Sequence, residues 1–412
     1  MKRSILYYSD CNYFAGCENM IAHFLNSELI LNNFDISIGY NFSEEYEQGL
    51  NQKVSTSGFS KYPLKLKKQP FFKSHTTYPL LIQLVLRFFE GLYINLYKYY
   101  SVFINTILLI RFYKKLDIDI LHINNGGYPA AYSCYSAVIA AKICGIKKII
   151  YVVNNIASDY KRPSRWLDYP LDFIIKRWVT IFITGSEHAG EMLKKVLNLE
   201  DKKYLKINNG AEIQKITITK EEFKGKYKIP RGRLIGSVGA ILEKNKGHIF
   251  LLQAILKMKN QYANDLIPFF IFAGSGSEKN NLERYIVRNE LTDNVLMIDY
   301  IPDIYNLLNA SDFVILPSIC NEDFPFIVIE AMSLGKPVIG TYIAGMPEQI
   351  VNGRTGILVK PNNSEEIYQA LISLLFNPKI INLYSENAKI RFYELFELDI
   401  CLKKYYNLYS TI

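Results

Sequence analysis

The chain has 412 residues, of which 49% are hydrophobic, and a formal net charge of +9. This length exceeds what one hydrophobic core usually supports, so we expect two domains of roughly 200 residues each. Six cysteines are scattered along the chain. Cys11 and Cys17 have no neighbouring histidine, which favours reduced thiols over disulfides or a zinc site. The N-terminal apolar run is too short for a signal peptide, so we expect a cytoplasmic protein.

The positive charge is concentrated between Gln48 and Leu116, where eleven Lys or Arg accompany one acid, Glu90. This segment therefore carries +10 and the rest of the chain −1. Twelve aromatic residues lie among the basic ones between Phe71 and Tyr113. The run Leu92–Ile110 contains Lys98 and is a weak transmembrane candidate. We expect residues 48–116 to face an anionic membrane leaflet, with solvated helices as the alternative. No motif supports nucleic-acid binding.

Short apolar runs alternate with longer helical patterns. In the first half SILYYS, DISIGYN, DILHIN and KKIIYVVNN are predicted strands, with helices near residues 18–32 and 130–144 between them. A second series contains RLIGSVGA, PFFIFAGSG, NVLMIDYI, DFVILPS, PVIGTYI and TGILVK. Strands alternating with helices predict an α/β fold with two Rossmann-like, doubly wound parallel sheets.

The two series define the predicted domains. The first covers residues 1–210, a polar linker covers 211–232, and the second domain covers 233–385. Residues 386–412 form a C-terminal helix that could cross back to the first domain. We expect the two domains to face each other across a cleft. Ligands of open α/β sheets bind beyond the carboxyl ends of the strands, so the loops there are the places to look for a site. Gly274, in the GSG that follows FIFA, is one candidate for ligand contact.

Two glutamates stand out in NEDFPFIVIEAMSLGKPVIG, residues 321–340. If a loop extends to Ile327 and a helix begins near Val328, Glu322 lies in the loop and Glu330 in the first turns of the helix. A helix N-terminus attracts phosphate through its unpaired N–H groups and its dipole. Carboxylates beside it suit the hydroxyls of the same ligand. This arrangement describes a nucleotide-sugar site.

Several motifs occur together in one order along the chain. They are Ala15-Gly16-Cys17-Glu18, Ser186-Glu187, Asn209-Gly210, Lys246-Gly247, Gly274-Ser275-Gly276, Pro317-Ser318, Glu322 to Glu330, Gly335-Lys336-Pro337-Val338, Gly345-Met346-Pro347-Glu348 and Asn352-Gly353-Arg354-Thr355-Gly356. This ordered set resembles the retaining glycosyltransferases of family 4, glycosyl transferases group 1, which have the two-domain GT-B fold. The resemblance covers nearly the whole chain and is most specific between Pro317 and Val359. It implies that residues 1–210 form the acceptor-side domain and residues 233–385 the nucleotide-sugar-binding domain.

The resemblance implies a role for each matching position. Gly16 would let the backbone approach the donor diphosphate, and Lys246 would neutralise that diphosphate as the sugar leaves. Glu322 would contact the transferred sugar, and Glu330 would accept hydrogen bonds from the ribose hydroxyls. Further donor contacts would come from the backbone amides of Phe324, Phe326 and Ile327. The fold implies that a lysine and a helix dipole replace a metal, so we expect neither a metal nor a cofactor.

Three positions depart from the family pattern. An arginine usual six residues before Lys246 is Ala240 here, and Lys244 could replace it in donor binding. The histidine usual at the end of the strand IIYVV is Asn154, which would take its place beside the reacting sugar. Pro325 occupies a usual glycine position and removes one amide donor.

The function implied is that of a retaining, metal-independent glycosyltransferase of the hexosyltransferase type. It would move a sugar from a nucleotide-sugar to a glycan acceptor in bacterial O-antigen, capsule or exopolysaccharide synthesis. The resemblance implies that this acceptor is lipid-linked. We expect it on the inner face of the cell membrane, peripherally bound. The alternatives are a noncatalytic nucleotide-sugar-binding partner and a nucleotide-sugar epimerase on the same fold.

Overall fold

The computed structural model describes residues 2–14, 16–68, 70, 80–239, 242–299, 301, 304–320 and 322–412. The chain divides into two compact units. Unit 1 comprises Met1–Ile207 and Leu402–Ile412, and unit 2 comprises Asn208–Cys401. Each unit is built around a parallel β-sheet, so the expected α/β architecture with two parallel-sheet domains is confirmed.

The sheet of unit 1 has seven strands in the described residues, in the order β3-β2-β1-β4-β5-β6-β7. These are β1 (Arg3–Ser9), β2 (Phe34–Asn41), β3 (Phe59–Leu64), β4 (Ile120–Asn125), β5 (Lys148–Val153), β6 (Ile181–Thr184) and β7 (Tyr204–Lys206). In the parallel register Ile5 lies opposite Ile36 on β2 and Ile120 on β4. The central strands are continuous apolar runs because helices cover both faces of the sheet.

The helices of unit 1 follow most of these strands. They are α1 (Asn19–Asn26), α2 (Glu28–Leu31), α3 (Glu44–Lys53), α4 (Leu80–Tyr113), α5 (Ser133–Ile143), α6 (Pro163–Trp166), α7 (Tyr169–Trp178) and α8 (Glu187–Leu197). Serine side chains cap several of them: the Oγ of Ser43 accepts from the Tyr46 N–H, and that of Ser186 from the Ala189 N–H. Such caps satisfy N–H groups that the helix leaves unpaired.

The sheet of unit 2 has six strands in the order β10-β9-β8-β11-β12-β13, again within the described part of the chain. These are β8 (Ile235–Gly239), β9 (Phe269–Ala273), β10 (Val295–Ile298), β11 (Phe313–Leu316), β12 (Val338–Thr341) and β13 (Gly356–Val359). The helices of unit 2 are α9 (Lys220–Lys226), α10 (His248–Lys259), α11 (Lys279–Arg288), α12 (Ile304–Ala310), α13 (Phe326–Ser333), α14 (Met346–Gln349), α15 (Ser364–Phe376) and α16 (Pro378–Leu395). The last helix, α17 (Leu398–Thr411), belongs to unit 1 from Leu402 onward.

The segment 211–232, expected as a linker, belongs to unit 2. Helix α9 within it begins with a capping box between Thr219 and Glu222. Phe223 is buried in an apolar cluster with Ile235 and Ile271 of the sheet. The sequence suggested a linker because this segment is polar, yet one buried aromatic residue and a good helix cap are enough to fix it on the unit.

The C-terminal region consists of two helices, α16 and α17, rather than the one expected. The chain turns between them, where Ala211 forms a β-bridge with Glu397. The end of α17 belongs to unit 1, where the Tyr409 hydroxyl and the His122 Nδ1 are 2.7 Å apart. The Arg3 guanidinium also donates to the carbonyl oxygen of Tyr409 at 3.0 Å.

The basic segment 48–116 contains the end of α3, the edge strand β3 and all of α4, a 34-residue helix. Eight of its eleven basic side chains are exposed: Lys53, Lys61, Lys65, Lys67, Lys68, Arg111, Lys114 and Lys115. Lys98 differs, because it is buried in an ion pair with Asp168 of 2.5 Å. Lys73 lies outside the described residues. No helix in the described ranges is long and apolar enough to cross a membrane.

Candidate active site

Both β-sheets have a point at which the strand order reverses direction. In unit 2 the chain proceeds from β8 to β9 and β10 on one side, and then from β11 to β12 and β13 on the other. The loops after β8 and β11 therefore diverge from adjacent strands at the carboxyl edge of the sheet. Such a crevice is where open α/β sheets bind ligands.

A glycine brings these two loops into contact. A 3₁₀ turn over Lys244–Lys246 ends at Gly247, which has a φ of 68° and opens α10. A Cβ on Gly247 would lie 2.1 Å from the carbonyl oxygen of Pro317, so no other residue fits without displacing the backbone. The Ile319 N–H also donates to the Asn245 carbonyl at 2.8 Å. The glycine after Lys246 thus has a packing role that its position in sequence did not reveal.

The contact between the loops places Lys246 against Glu322. The Lys246 Nζ forms an ion pair with the Glu322 Oε1, which also accepts from the Ser318 hydroxyl at 2.9 Å. The lysine side chain is 18% exposed and the glutamate side chain 9%. Two site residues predicted separately from the sequence therefore form one charged pair at the mouth of the crevice.

Helix α13 begins at Phe326, two residues before the start expected from the sequence. Pro325 occupies the N-cap position, and no side chain caps the helix there. The amides of Phe326 and Ile327 lie in the first turn, where N–H groups have no partner within the helix. The Phe324 side chain is buried against Phe396, with ring centroids 5.5 Å apart, and its carbonyl accepts from the Asn209 amide at 3.2 Å.

Glu330 lies in the second turn of α13 and is half-buried. Its charge acts on Tyr305 of α12: burial first, and then the Glu330 carboxylate, raise the pKa of that phenol above its ordinary value. The Tyr305 hydroxyl donates to the carbonyl of Glu212 at 2.7 Å. Glu330 lies in the helix that follows the loop containing Glu322, so both glutamates come after the carboxyl end of β11.

The two other donor-binding candidates of unit 2 differ in their surroundings. Lys244 is exposed, so it is accessible to an anion. Gly274 is buried with a φ of 150°, and its N–H donates to the carbonyl of Ile298 at 3.0 Å. The next residue, Ser275, accepts from the Leu242 N–H at 2.9 Å. Gly274 thus bonds to the end of β10, and Ser275 joins the loop after β9 to the loop after β8. Ala240, Tyr300 and Pro302 lie outside the described residues.

Unit 1 contains the remaining two candidates, Gly16 and Asn154. Gly16 is exposed, and a Cβ there would meet no atom within 4 Å. The half-buried Asn154 follows β5, and its Nδ2 donates to the Asn124 Oδ1 at 2.7 Å and to the Asn125 carbonyl at 3.0 Å. These two bonds orient the Asn154 side chain at the carboxyl edge of the sheet and leave its Oδ1 as an acceptor.

A buried carboxyl group, Glu18, lies behind Asn154. Its Oε1 accepts from the Ser9 hydroxyl at 2.9 Å and the Asn124 amide at 3.0 Å, and its Oε2 accepts from the Tyr46 hydroxyl at 2.7 Å. Burial raises the pKa of Glu18 above its ordinary value. Asn124 joins Asn154 to this network. The sequence did not predict this network, because its members come from four elements that are separate in sequence.

Two cysteines adjoin the same carboxyl group. The Cys11 and Cys17 sulfurs are 3.9 Å apart, and the Cys17 thiol lies 3.7 Å from the Glu18 Oε1. These three ligand atoms lie within 4.8 Å of one another, a spacing that could hold a metal ion. A hydrogen bond from a protonated Cys17 thiol to the Glu18 carboxylate explains the contact equally well. The spacing of the two cysteines in sequence gave no sign of this proximity.

Residues 219–391 match the family described as glycosyl transferases group 1. An Escherichia coli UDP-Gal:alpha-D-GlcNAc-diphosphoundecaprenol alpha-1,3-galactosyltransferase is 27% identical over 313 residues, 74% of this chain and 78% of that protein.

Solved structures share the fold along the whole chain. HepE from Anabaena, in complex with UDP, has a TM-score of 0.75 at 16% identity and covers 100% of both chains. A glycosyltransferase from Rickettsia africae has a TM-score of 0.74 at 20% identity, covering 99% of this chain and 98% of its own. The chain is therefore a glycosyltransferase of the GT-B fold whose second unit contains the group 1 family region.

Proposed function

We propose that this chain is a retaining, metal-independent glycosyltransferase of family 4 and the hexosyltransferase type. It transfers a sugar from a nucleotide-sugar to a lipid-linked glycan during synthesis of a bacterial surface polysaccharide such as O-antigen, capsule or exopolysaccharide. The observation that carries the proposal is the Lys246–Glu322 pair at the strand-order reversal of unit 2. The E. coli relative, whose name specifies a diphosphoundecaprenol-linked acceptor, supports the lipid-linked acceptor.

In this proposal the charges of the crevice divide between the two halves of the donor. The diphosphate lies on the Lys246 ammonium and the first-turn amides of α13, which stabilise the negative charge that grows as the sugar departs. Lys244 adds a second, exposed cation. These groups supply the positive charge that a metal ion provides in other transferases. HepE, solved in complex with UDP, supports a nucleotide donor.

The carboxylates contact the hydroxyl-bearing parts of the donor. Glu330 accepts from the ribose, and Glu322 lies beside the transferred sugar, whose ring becomes oxocarbenium-like as the bond breaks. When the diphosphate attracts the Lys246 ammonium, the negative charge of Glu322 is less fully neutralised. Its negative charge then acts on the positive ring. In unit 1, Asn154 positions the sugar through its Oδ1, and Gly16 allows close approach of the diphosphate.

The test is turnover of purified full-length protein with a panel of UDP-, GDP- and dTDP-sugars, with and without a GlcNAc-diphospho-lipid and membrane-extracted acceptors. We expect nucleotide diphosphate release that an acceptor accelerates, and a product with the anomeric configuration of the donor. Tight nucleotide-sugar binding without transfer would support the noncatalytic alternative. Conversion of the free nucleotide-sugar into an epimer would support the epimerase.

We also propose that the enzyme docks peripherally on the inner membrane leaflet through one surface of unit 1, which we call the apolar face. It is formed by large exposed side chains of α4 and of α6–α7. They are Phe89, Leu92, Tyr93, Leu96, Tyr100, Phe103, Trp166, Leu167, Tyr169 and Phe173. Leu96 and Phe103 are both 64% exposed and Trp166 is 60% exposed. An aromatic-rich exposed patch of this extent is typical of an interaction surface.

Buried charges hold the two parts of the apolar face together. The Lys98–Asp168 pair joins α4 to the turn between α6 and α7, and Arg165 contacts Asp172 at 2.6 Å and Asp168 at 3.1 Å. The Tyr99 hydroxyl donates to the Leu167 carbonyl. These bonds link the two groups of apolar side chains.

Basic residues flank the apolar face. The backbone of Lys67 pairs with the Asn105 side chain on α4, at 2.8 and 3.1 Å, which places the exposed Lys65, Lys67 and Lys68 beside that helix. Arg162, just before α6, and Arg177, near the end of α7, are also exposed. Apolar side chains flanked by cations suit an anionic bilayer surface, in which the apolar groups enter the acyl boundary and the cations contact headgroups.

A further inference from the structure

We propose that unit 1 contains a sugar-hydroxyl-binding site at the carboxyl ends of β1 and β4, in which the Asp10 carboxylate binds two neighbouring hydroxyls of the acceptor sugar. This inference rests on the proposed function, in which unit 1 is the acceptor side, and names the residue of unit 1 that binds the acceptor sugar. Asp10 was not among the residues that the sequence patterns singled out.

Asp10 occupies the position at which a sheet of this topology binds ligands. In unit 1 the strand order reverses between β1 and β4, because β2 and β3 lie on one side and β5 to β7 on the other. Asp10 is the first residue after β1. It therefore stands at the strand-order reversal of unit 1, as Lys246 and Glu322 do in unit 2.

Two buried neutral side chains hold the Asp10 carboxylate. The Asn41 Nδ2 donates to Oδ1 at 2.9 Å, and the Ser133 hydroxyl donates to Oδ2 at 2.5 Å. Asn41 cannot turn its amide round, because its own Oδ1 already accepts from the Leu66 N–H at 3.1 Å. Ser133 is the first residue of α5, so the N-terminal end of that helix dipole favours the carboxylate charge.

This arrangement leaves the carboxylate with unused capacity. An ionised carboxylate offers about four lone-pair sites, and each oxygen of Asp10 accepts from one of the two donors just named. Among the described residues these are the two donors to Asp10, which leaves a further acceptor position on each oxygen. Asp10 is only half-buried, so a solute can reach it. Two adjacent acceptors in one plane match the two hydroxyls of a vicinal diol, the group that distinguishes a sugar from most other ligands.

The loops around Asp10 leave room for such a ligand. Gly16 in the loop after β1 and Gly126 in the loop after β4 would each place a Cβ at least 4 Å from any other atom. The Asn124 amide, near the end of β4, donates to the Cys17 carbonyl at 3.1 Å and fixes the loop after β1 against that strand. This bond favours a preformed site over one assembled by the ligand.

The test compares full-length wild type with Asp10→Asn, which keeps the shape of the side chain and removes its charge. The probes are UDP-galactose hydrolysis without acceptor, transfer to a short-chain GlcNAc-diphospho-lipid, and direct calorimetric binding of a panel of short-chain diphospho-sugars. We expect the KM for the acceptor, and its Kd, to rise at least about tenfold, the loss that one charge-assisted hydrogen bond predicts. Donor hydrolysis and the melting temperature should stay unchanged.

Asp35→Asn is the matched control, because Asp35 is exposed on β2 of the same sheet. It should leave every measurement at the wild-type value. An Asp10→Asn protein with wild-type acceptor KM and Kd would overturn the inference, as would equal losses in donor hydrolysis and acceptor transfer or a lowered melting temperature.

The calorimetric measurement separates this inference from the proposed function. Wild type that binds a diphospho-sugar but turns over no nucleotide-sugar would contradict the enzyme assignment, and the affinity of Asp10→Asn would still decide the role of Asp10. Wild type that binds no member of the panel would contradict the acceptor site itself.

Discussion

Lys246 and Glu322, 76 residues apart in sequence, form an ion pair across the loops that follow β8 and β11. The pair lies where the strand order of unit 2 reverses. Because both side chains are largely buried, each provides the neighbouring charge that makes burial of the other tolerable. A donor diphosphate would compete with Glu322 for Lys246, which couples donor binding to the charge beside the sugar.

The two glutamates should separate catalysis from nucleotide binding. Glu322→Gln should not weaken nucleotide binding, because Lys246 loses the carboxylate that competes with the diphosphate. It should lower turnover at least tenfold, about 1.4 kcal/mol of transition-state stabilisation. Glu330→Ala should weaken nucleotide binding itself, because a ribose acceptor is lost. Calorimetry with nucleotide diphosphate and steady-state transfer kinetics measure both effects. Glu386→Gln, on the exposed face of α16, is the control, and unchanged activity in both site variants would remove the pair from the site.

Asn154 should be needed for transfer and not for nucleotide affinity. Asn154→Ala removes the side chain that the Asn124 Oδ1 and the Asn125 carbonyl orient, so the donor sugar is misplaced and most turnover is lost. Asn154→His should retain substantial activity because histidine offers a ring nitrogen at similar reach. A melting curve shows whether loss of the bond to Asn124 disturbs the fold. Full turnover by Asn154→Ala would exclude this residue from the reaction.

Membrane docking should depend on the α4 part of the apolar face. Replacing Leu96 and Phe103 together by Gln should weaken binding to phosphatidylglycerol vesicles by more than about tenfold, since each buried side chain contributes roughly 1.5–3 kcal/mol. Leu266→Gln, at a 50% exposed position in unit 2, is the matched control.

Salt should also release the protein from these vesicles, because exposed charges are screened beyond about 8 Å at physiological ionic strength. Replacing Lys65, Lys67 and Lys68 by Ser should remove most of that salt dependence. Vesicle binding that responds neither to salt nor to these substitutions would contradict docking through this surface. Co-sedimentation with vesicles of defined composition measures each case.

The stability of the protein should fall in mild acid, in part through His248. Burial first, and then the charge of Lys246, lower the pKa of His248 to about 4. Both ring nitrogens lack a hydrogen-bond partner among the described residues. In the unfolded chain His248 binds a proton below its ordinary pKa of 6.5, whereas in the folded chain it stays neutral down to about pH 4. The stability that neutral His248 preserves is therefore complete above pH 6.5 and is lost as the pH falls toward 4.

Replacing His248 should remove that part of the pH dependence. For His248→Leu the difference in free energy of unfolding between pH 7.5 and pH 5.0 should shrink by about 2 kcal/mol, since each pH unit in this range costs up to about 1.4 kcal/mol per histidine. Urea unfolding at the two pH values measures it. His188→Leu, at an exposed position on α8, controls for the substitution itself. An identical pH dependence in wild type and His248→Leu would refute this account.

The sequence by itself determined the alternation of strands and helices and the neighbourhood of Glu322 and Glu330. Both follow from local information. Short apolar runs and helical periodicity predict the strands and helices, and a helix start is predicted from a few neighbouring residues. The expected helix start was two residues late, because Pro325 at the N-cap position allows the helix to begin directly after it.

Only the tertiary structure decided which distant residues meet. The pairing of Lys246 with Glu322, the burial of Lys98 against Asp168, and the contacts of Asn154 and Asp10 all depend on which strands lie side by side. Strand order is set by nonlocal pairing and by which helix covers which face, and no short stretch of sequence contains that information. For the same reason the sequence grouped Lys98 with the basic residues expected to face the membrane. The buried Asp168 carboxylate that pairs with it lies seventy residues away in sequence.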